Sequence, residues 1–517
     1  MNGAPAIFTL ANFNLQNFNS ALKKELKGAK VEAVEYGQML PFLLNLDTSV
    51  KKEEHCICWI VQKDIEQAAN MQVDLSELVL KLSDYFQRVT VILPMVDSPE
   101  LNFFQYTKLR NQLYEFNFLI SQKSIDTNIT LLDPTYWFLQ QGANAISAKL
   151  WYLSKTPFHA QIFKQAAVDY KVLCQAFWGM SKKVLIVDLD DTLWGGVVGD
   201  DGLENLKIGG HDALGEAFAD FQTYVKKIKA SGIILGICSK NEEKIAWEVF
   251  EKHTGMVLRK DDFVTWRINW NDKASNIADM VKELNIGMDS VVFLDDNQVE
   301  RDRVRKALPG IYVPELPVDK MEYPAFIRTL HCFNRPELTE EDLKRTELYK
   351  NEKTRVESKY SFSSVEEWIT SLNIEVSFEE LNKENLMRAH QLLNKTNQMN
   401  LRTRRLNQEE LLAWSEKNGN WFYVVHVKDI FDDNGITGLL GFHQNPQGEF
   451  FIDDFVMSCR IMGRKIEYQM LEFILKKLET HQGKRLIAEY LETEKNKPVK
   501  DFFTKASEIY EGLIFKS

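Results

Sequence analysis

Cysteine is scarce in this chain, six residues in 517, and positions 56, 58, 174, 238, 332 and 459 follow no regular spacing. That excludes a disulfide framework and points to a reducing compartment, the cytoplasm. Proline and glycine, 13 and 25 residues, are too few for a collagen-like or low-complexity chain. No apolar run reaches the ~18 residues of a bilayer span. The opening MNGAPAIFTLANFN has no basic residue and breaks its apolar stretch at Asn12, which speaks against a secretory signal. Positive charge is also in deficit, 63 Lys and Arg against 74 Asp and Glu, for a net charge of −11. General nucleic-acid binding is therefore not expected. The densest basic patch, Lys395 with Arg402, Arg404 and Arg405, reads as a solvated face.

What is present is an ordinary globular mixture, 44% hydrophobic and 26% charged. A prior of about 150 residues per domain gives three domains. Residues 1–178 alternate expected strands (Ala6–Leu10, His55–Val61, Val89–Leu93) with expected helices (Leu75–Phe86, Phe158–Phe177), an α/β pattern. Residues 179–330 continue as βα units around a parallel sheet. Residues 331–517 open with a helical connector, Pro336–Glu357, and then change texture. Strands are expected at Trp421–Val427, Gly435–His443 and Phe450–Met457, a helix at Lys465–His481 and a strand at Arg485–Tyr490. Adjacent antiparallel strands followed by a helix and a strand read as α+β. Cys56 and Cys58, two apart on an apolar strand, read as core rather than as a metal pair.

The middle segment carries the chemistry. The apolar Lys183–Val187 runs into Asp188-Leu189-Asp190-Asp191-Thr192. Alternation puts Asp188 and Asp190 on one side of a strand end, and α/β folds hold ligands at such ends. Three further groups follow at element boundaries: Ser239 closing ILGICS, Lys273 ahead of an amphipathic helix, and Asp295-Asp296-Asn297 closing VVFLDDN. A carboxylate that attacks phosphorus needs the charge around it neutralised. Mg²⁺ on the acidic cluster does this, while an ammonium and a hydroxyl hold the remaining phosphoryl oxygens.

These four groups resemble the motifs of the haloacid-dehalogenase (HAD) phosphatase superfamily. The resemblance implies Asp188 as nucleophile and Asp190 as general acid and base. Ser239 and Lys273 would bind the phosphoryl group, and Asp188, Asp190 and Asp296 would hold Mg²⁺, with Asp295 in support. Only 47 residues separate Asp191 from Ser239, and 33 separate Ser239 from Lys273, which leaves no room for the superfamily's large caps. The site is therefore expected to be open or roofed by a neighbouring domain.

The hairpin WGGVVGDDG (194–202), with ICSKN and FLDDNQVER, is similar to the FkbH-like branch, HAD subfamily IIIC. DPTYWF (133–138) and SKTPF (154–158) resemble that family's first domain. KTNQMN (395–400), DNGITG (433–438), SCRIMGR (458–464) and ETEKN (492–496) resemble its last. The implied fold is a central HAD-like Rossmannoid parallel sheet, an amino-terminal SGNH-like α/β domain and a carboxyl-terminal GNAT-like α+β domain. The implied activity is a phosphatase and glyceryltransferase. It would take a glyceryl group from 1,3-bisphosphoglycerate as an enzyme thioester, remove the phosphate, and pass the acyl group to the phosphopantetheine thiol of an acyl carrier protein.

Two departures stand beside that resemblance. At the end of the first strand, Leu10-Ala11-Asn12-Phe13-Asn14 offers no serine nucleophile, so the first domain reads as structural. In the loop Arg460-Ile461-Met462-Gly463-Arg464-Lys465, Lys465 replaces the last small residue of a GNAT cofactor loop. Free acetyl-CoA is then not expected, although Arg460, Gly463 and Arg464 remain candidates for holding a phosphopantetheine arm. The thioester cysteine has two candidates, Cys459 beside Arg460 and Cys238 beside Ser239, of which Cys459 is favoured. Gly287-Met288-Asp289-Ser290-Val291 imitates a carrier attachment site but runs into a buried strand, so the carrier is expected to be a separate chain. The rival readings are a plain phosphatase of a small metabolite and a non-catalytic carrier-binding adaptor.

Overall fold

In the computed structural model the described residues are 5–49, 52–71, 73–95, 103–125, 127–177, 180–210, 212–334, 343–493 and 495–516. They form two compact units, Met1–Gln175 and Ala176–Ser517. The expected boundary at 178/179 lies outside the described residues, and that at 330/331 falls inside the second unit.

The first unit is built on five strands: β1 (Ala6–Ala11), β2 (Lys30–Ala33), β3 (Lys52–Trp59), β4 (Phe86–Ile92) and β5 (Ile129–Leu132). They lie in the order β2-β1-β3-β4-β5 with every pairing parallel. A parallel sheet is covered on both faces and reads as a continuous apolar run. On β3, Cys56 and Cys58 face one core while Ile57 and Trp59 face the other, all at most 1% exposed. Burial pushes both thiols up, so the pair is packing, as expected. The expected helix Leu75–Phe86 is broken at Lys81 into Leu75–Leu80 and Leu82–Tyr85, because Phe86 already belongs to β4. Beyond β1, the Asn12 side chain donates to Gln67 and the Asn14 side chain to the Ser154 carbonyl.

The second unit contains two sheets. The first has β6 (Val184–Val187), β7 (Ile234–Ser239), β8 (Phe263–Ile268) and β9 (Val291–Leu294), all parallel, in the order β8-β7-β6-β9. The chain thus steps outward from β6 through β7 to β8, then returns to β6's other side with β9. The carboxyl ends of β6 and β9 flank the point where strand order reverses, where such sheets bind ligands. All residues of β6 and β9 are fully buried. Each such apolar side chain contributes about 1.5–3 kcal/mol, so the strands that carry the acidic ends are rigidly held.

The second sheet has β10 (Glu375–Glu380), β11 (Met399–Asn400), β12 (Asn420–Lys428), β13 (Asp433–Gln444), β14 (Phe450–Met457), β15 (Leu486–Glu489) and β16 (Leu513–Lys516). Its order is β10-β12-β13-β14-β15-β16, with β11 paired to β14. β10 through β14 pair antiparallel and β14 through β16 parallel. The connector's first residues, 336–342, lie outside the described ones. Its remainder is the helix Arg345–Ser358, which packs on β7 and β8 and pairs with the turn that follows β12. Arg345 donates to the Gly232 carbonyl and Lys353 pairs with Glu283, while Arg355 pairs with Asp429 at 2.8 Å. Among the described residues no helix is long and apolar enough to cross a membrane.

Candidate active site

Hydrogen bonding from the Asp188 amide to the Leu294 carbonyl, 2.9 Å, extends the β6–β9 ladder to the first carboxylate. The chain then turns through Asp191, a non-glycine residue at φ +56°. This returns Thr192 beneath the neighbouring strand end, where its Oγ1 accepts from the Asp296 amide at 3.1 Å. Leu189, Leu193 and Trp194 anchor the turn in the core.

Lys273 opens the helix Lys273–Glu283, whose N-cap Asp272 accepts from Ser275. Its ammonium, 3% exposed as a residue, lies 2.8 Å from Asp188 Oδ2 and 2.5 Å from Asp295 Oδ2. Burial works against the charged amine, but the two carboxylates outweigh it and hold Lys273 above its ordinary range. Burial, reinforced by Asp188, pushes the Asp295 carboxyl up to about 7 against the pull of Lys273. Asp296 is raised by burial and then by Asp188. One ammonium thus faces three carboxylates. Two like charges 4 Å apart repel by about 4 kcal/mol at an effective dielectric of 20.

The residues present fit Mg²⁺. Carboxylate oxygens of Asp188, Asp295 and Asp296 lie within 4.8 Å of one another. Asp188 Oδ1 is buried without a hydrogen-bond partner, as a ligand oxygen would be. The expected set of Asp188, Asp190 and Asp296 is redrawn in one respect. The Asp190 carboxylate stands apart from this group, because its oxygens accept from Trp194 Nε1 (2.8 Å), the Val198 amide (3.1 Å) and Asn241 Nδ2 (2.9 Å). Asp295, expected only in support, joins instead. Burial is the largest cause raising the Asp190 carboxyl, followed by the opposing donors and then by Asp188.

Ser239 ends β7 beside β6 and is 2% exposed. Cys238 turns into the core, with its Sγ 3.7 Å from the Lys273 carbonyl and its thiol pushed up by burial. Sequence reasoning gave no role to Asn241 or Trp194, which orient Asp190, or to Lys320, which reaches Asp191 at 2.5 Å. The SKN and DTLW strings that contain the first two were the available signal.

The carboxyl-terminal candidates are not brought to this site. Cys459 opens a short turn after β14, and its carbonyl accepts from Asn285 Nδ2 at 2.8 Å. Asn285 lies just past the end of the 11-residue helix that Lys273 begins. Cys459 is therefore about 16 Å of helix from the acidic cluster. Arg460 donates to the Asn434 carbonyl, and burial draws its guanidinium down to about 10. Arg464, 1% exposed, is paired with Asp429 and Glu352. Gly463 turns the chain at φ +78° ahead of Lys465, itself left-handed at φ +61°. Both arginine side chains are thus engaged by groups of the protein itself. The arginines of the basic patch are half-buried or exposed, and each has a partner within the protein. Arg402 pairs with Asp453, Arg404 with Asp454, and Arg405 donates to Leu393 and Asn397, while the Lys395 side chain lies outside the described residues.

No protein-family model matches the chain, and no curated protein matches it. Among solved structures it is similar to the N-terminal part of the protein BF1531 from Bacteroides fragilis, which contains a phosphatase domain complexed with Mg. The identity is 30% and the TM-score 0.56, over 65% of this chain and 95% of that one. An IAA acetyltransferase from Bacillus cereus matches 22% of this chain and 63% of its own at 13% identity, with a TM-score of 0.17. A Trypanosoma brucei acetyltransferase matches 26% and 92% at 14% identity, with a TM-score of 0.20.

Proposed function

We propose, from the premise that this chain belongs to the family of the phosphatase-domain protein BF1531, that it is a Mg²⁺-dependent phosphatase of HAD type. The observation that carries this reading is the buried, unpartnered Asp188 Oδ1, beside Lys273 and within reach of Asp295 and Asp296. Bound Mg²⁺ would offset the carboxylate charge and that of the incoming phosphate. The Asp188 carboxylate attacks phosphorus, and the phosphorus–oxygen bond to the leaving group breaks. Asp190, whose carboxyl burial holds above the ordinary carboxylate range, gives its proton to the departing oxygen. A water then loses a proton to Asp190 and attacks the aspartyl-phosphate, releasing phosphate and restoring Asp188. Lys273 and Ser239 hold phosphoryl oxygens throughout.

The finer reading is an FkbH-like enzyme acting on a phosphorylated three-carbon acyl group such as 1,3-bisphosphoglycerate and delivering the acyl group to the thiol of a separate carrier protein. The uncapped mouth supports it. Between β6, β7 and β8 the described residues hold only short turns and the helices Ala213–Ala230 and Glu243–Lys252, so a carrier-borne phosphate has access. Cys459 would serve as a separate acyl station, a helix length from the phosphatase centre. The test is intact-mass analysis after incubation with 1,3-bisphosphoglycerate. A glyceryl or phosphoglyceryl adduct, lost in Cys459→Ala, is expected. Turnover of a generic phosphate ester without any adduct leaves the plain phosphatase.

A further inference from the structure

Trp270 is the one exposed tryptophan among the described residues, at 75% of its full surface. Its indole makes no hydrogen bond and no ring contact with any of them. The loop that carries it is nonetheless fixed. The Asn269 amide donates to the Ser239 carbonyl at 3.1 Å, and the Asn269 side-chain oxygen accepts from the Asn271 amide and from Asn276 Nδ2. Lys273, which holds Asp188, follows three residues after Trp270, a length of chain that spans at most about 11 Å. The indole is therefore held out of the core beside the phosphoryl site.

Val299 joins it from the next loop. In the helix Gln298–Ala307, which follows Asp295 and Asp296, Val299 is 73% exposed and lies one turn before Arg303 on the same face. Arg303 pairs with Asp272 at 2.6 Å, which ties that face to the loop of Trp270. Two further loops repeat the pattern. Val197 is exposed beside Val198, whose amide donates to Asp190, and Met321 is exposed beside Lys320, which reaches Asp191. Single exposed apolar residues are ordinary, but such residues on every loop that serves one site mark a binding surface. The cations of these loops are meanwhile paired: Lys240 with Glu300 at 2.6 Å, Arg303 with Asp272, and Lys320 with Asp191.

We propose that Trp270 and Val299 form the leaving-group subsite of the phosphatase, and that its substrate is a phosphate monoester whose leaving group is uncharged and apolar next to the phosphate. This rests on the phosphatase reading and not on acyl transfer. In-line attack by Asp188 from the end of β6 puts the departing oxygen on the side away from the strand, toward the loops. Asp190 protonates that oxygen, and the alcohol leaves across the indole. The indole face offers a planar or aliphatic group a contact that needs no charge. Its fixed loop spares the ordering cost that a mobile side chain would add on binding. A carboxylate or second phosphate on the leaving group would instead meet cations already held by Glu300, Asp272 and Asp191.

The test uses the full chain with Mg²⁺ and two monoesters, 1-naphthyl phosphate and 3-phosphoglycerate, and reads the ratio of their kcat/KM values. Trp270→Ala should lower that ratio about 10-fold, with the KM of the naphthyl ester carrying the change. Trp270→Phe should restore most of it. Val299→Lys, which sets an unpaired cation beside the indole, should lower the ratio as well. The thermal midpoint of Trp270→Ala should match wild type, because the side chain is mostly in solvent. A wild-type ratio in Trp270→Ala, with phosphate still released, overturns the proposal and leaves the phosphatase standing. No phosphate release from either ester by wild type overturns both.

Discussion

The Lys273 ammonium bridges Asp188 and Asp295 at 2.8 and 2.5 Å, occupying one oxygen of Asp188 and leaving the other without a partner. That division of a single carboxylate is the physical basis of the functional account. One oxygen is steadied by a fixed cation, and the other is kept for a metal.

Cation binding should therefore stabilise the chain. At a hundredfold excess over its Kd, Mg²⁺ adds about 2.7 kcal/mol to the folded state, read as a rise in thermal midpoint. Asp296→Asn removes one carboxylate of the cluster, and the midpoint should then respond only at much higher Mg²⁺. An identical response in the variant would remove Asp296 from the ligand set.

Phosphoryl transfer to Asp188 should slow as pH rises. Asp190 gives its proton in that step, and its carboxyl is raised by burial, so the competent form is lost as pH climbs through that raised value. Asn241 donates to the ionised carboxylate, which favours ionisation. Asn241→Ala should move the fall in rate to higher pH, as followed by rapid-quench phosphoenzyme formation. A shift to lower pH contradicts the assignment.

The network of Arg464, Arg355, Asp429 and Glu352 is read as structural. Asp429→Ala leaves two buried guanidinium groups without that counter-ion and should cost about 3–5 kcal/mol in urea unfolding. A fully stable variant would mean that Arg464 is available to a ligand after all.

Much of the middle sheet was legible, because β6 and β9 are uninterrupted β-branched-rich apolar runs, too short for helices, that end in acids. Strand Phe450–Met457 was read to the residue even though Asp453 and Asp454 interrupt its apolar run. β10, whose EVSFEE is mostly exposed or half-buried, carries little pattern. β11 is two residues long, and its pairing is decided by tertiary packing. At the site, strand alternation placed Asp190 with the metal ligands. The left-handed turn at Asp191 and the donors Trp194 and Asn241, 3 and 50 residues downstream of it, are non-local facts that alternation does not contain. The inward-turned Arg460 and Arg464 were hidden similarly, since their acceptors and counter-ions lie on Asn434, Asp429 and Glu352.

The most direct test follows the phosphoryl group itself. The full chain with Mg²⁺ and p-nitrophenyl phosphate is acid-quenched within a turnover and its peptides are weighed, with Asp190→Asn used to slow hydrolysis of the intermediate. One phosphoryl group is expected on the peptide containing Asp188, absent from Asp188→Asn, whose phosphate release falls by at least about 10³-fold. Phosphate release persisting in Asp188→Asn, or a phosphoryl group on another residue, would contradict the aspartyl-phosphate mechanism.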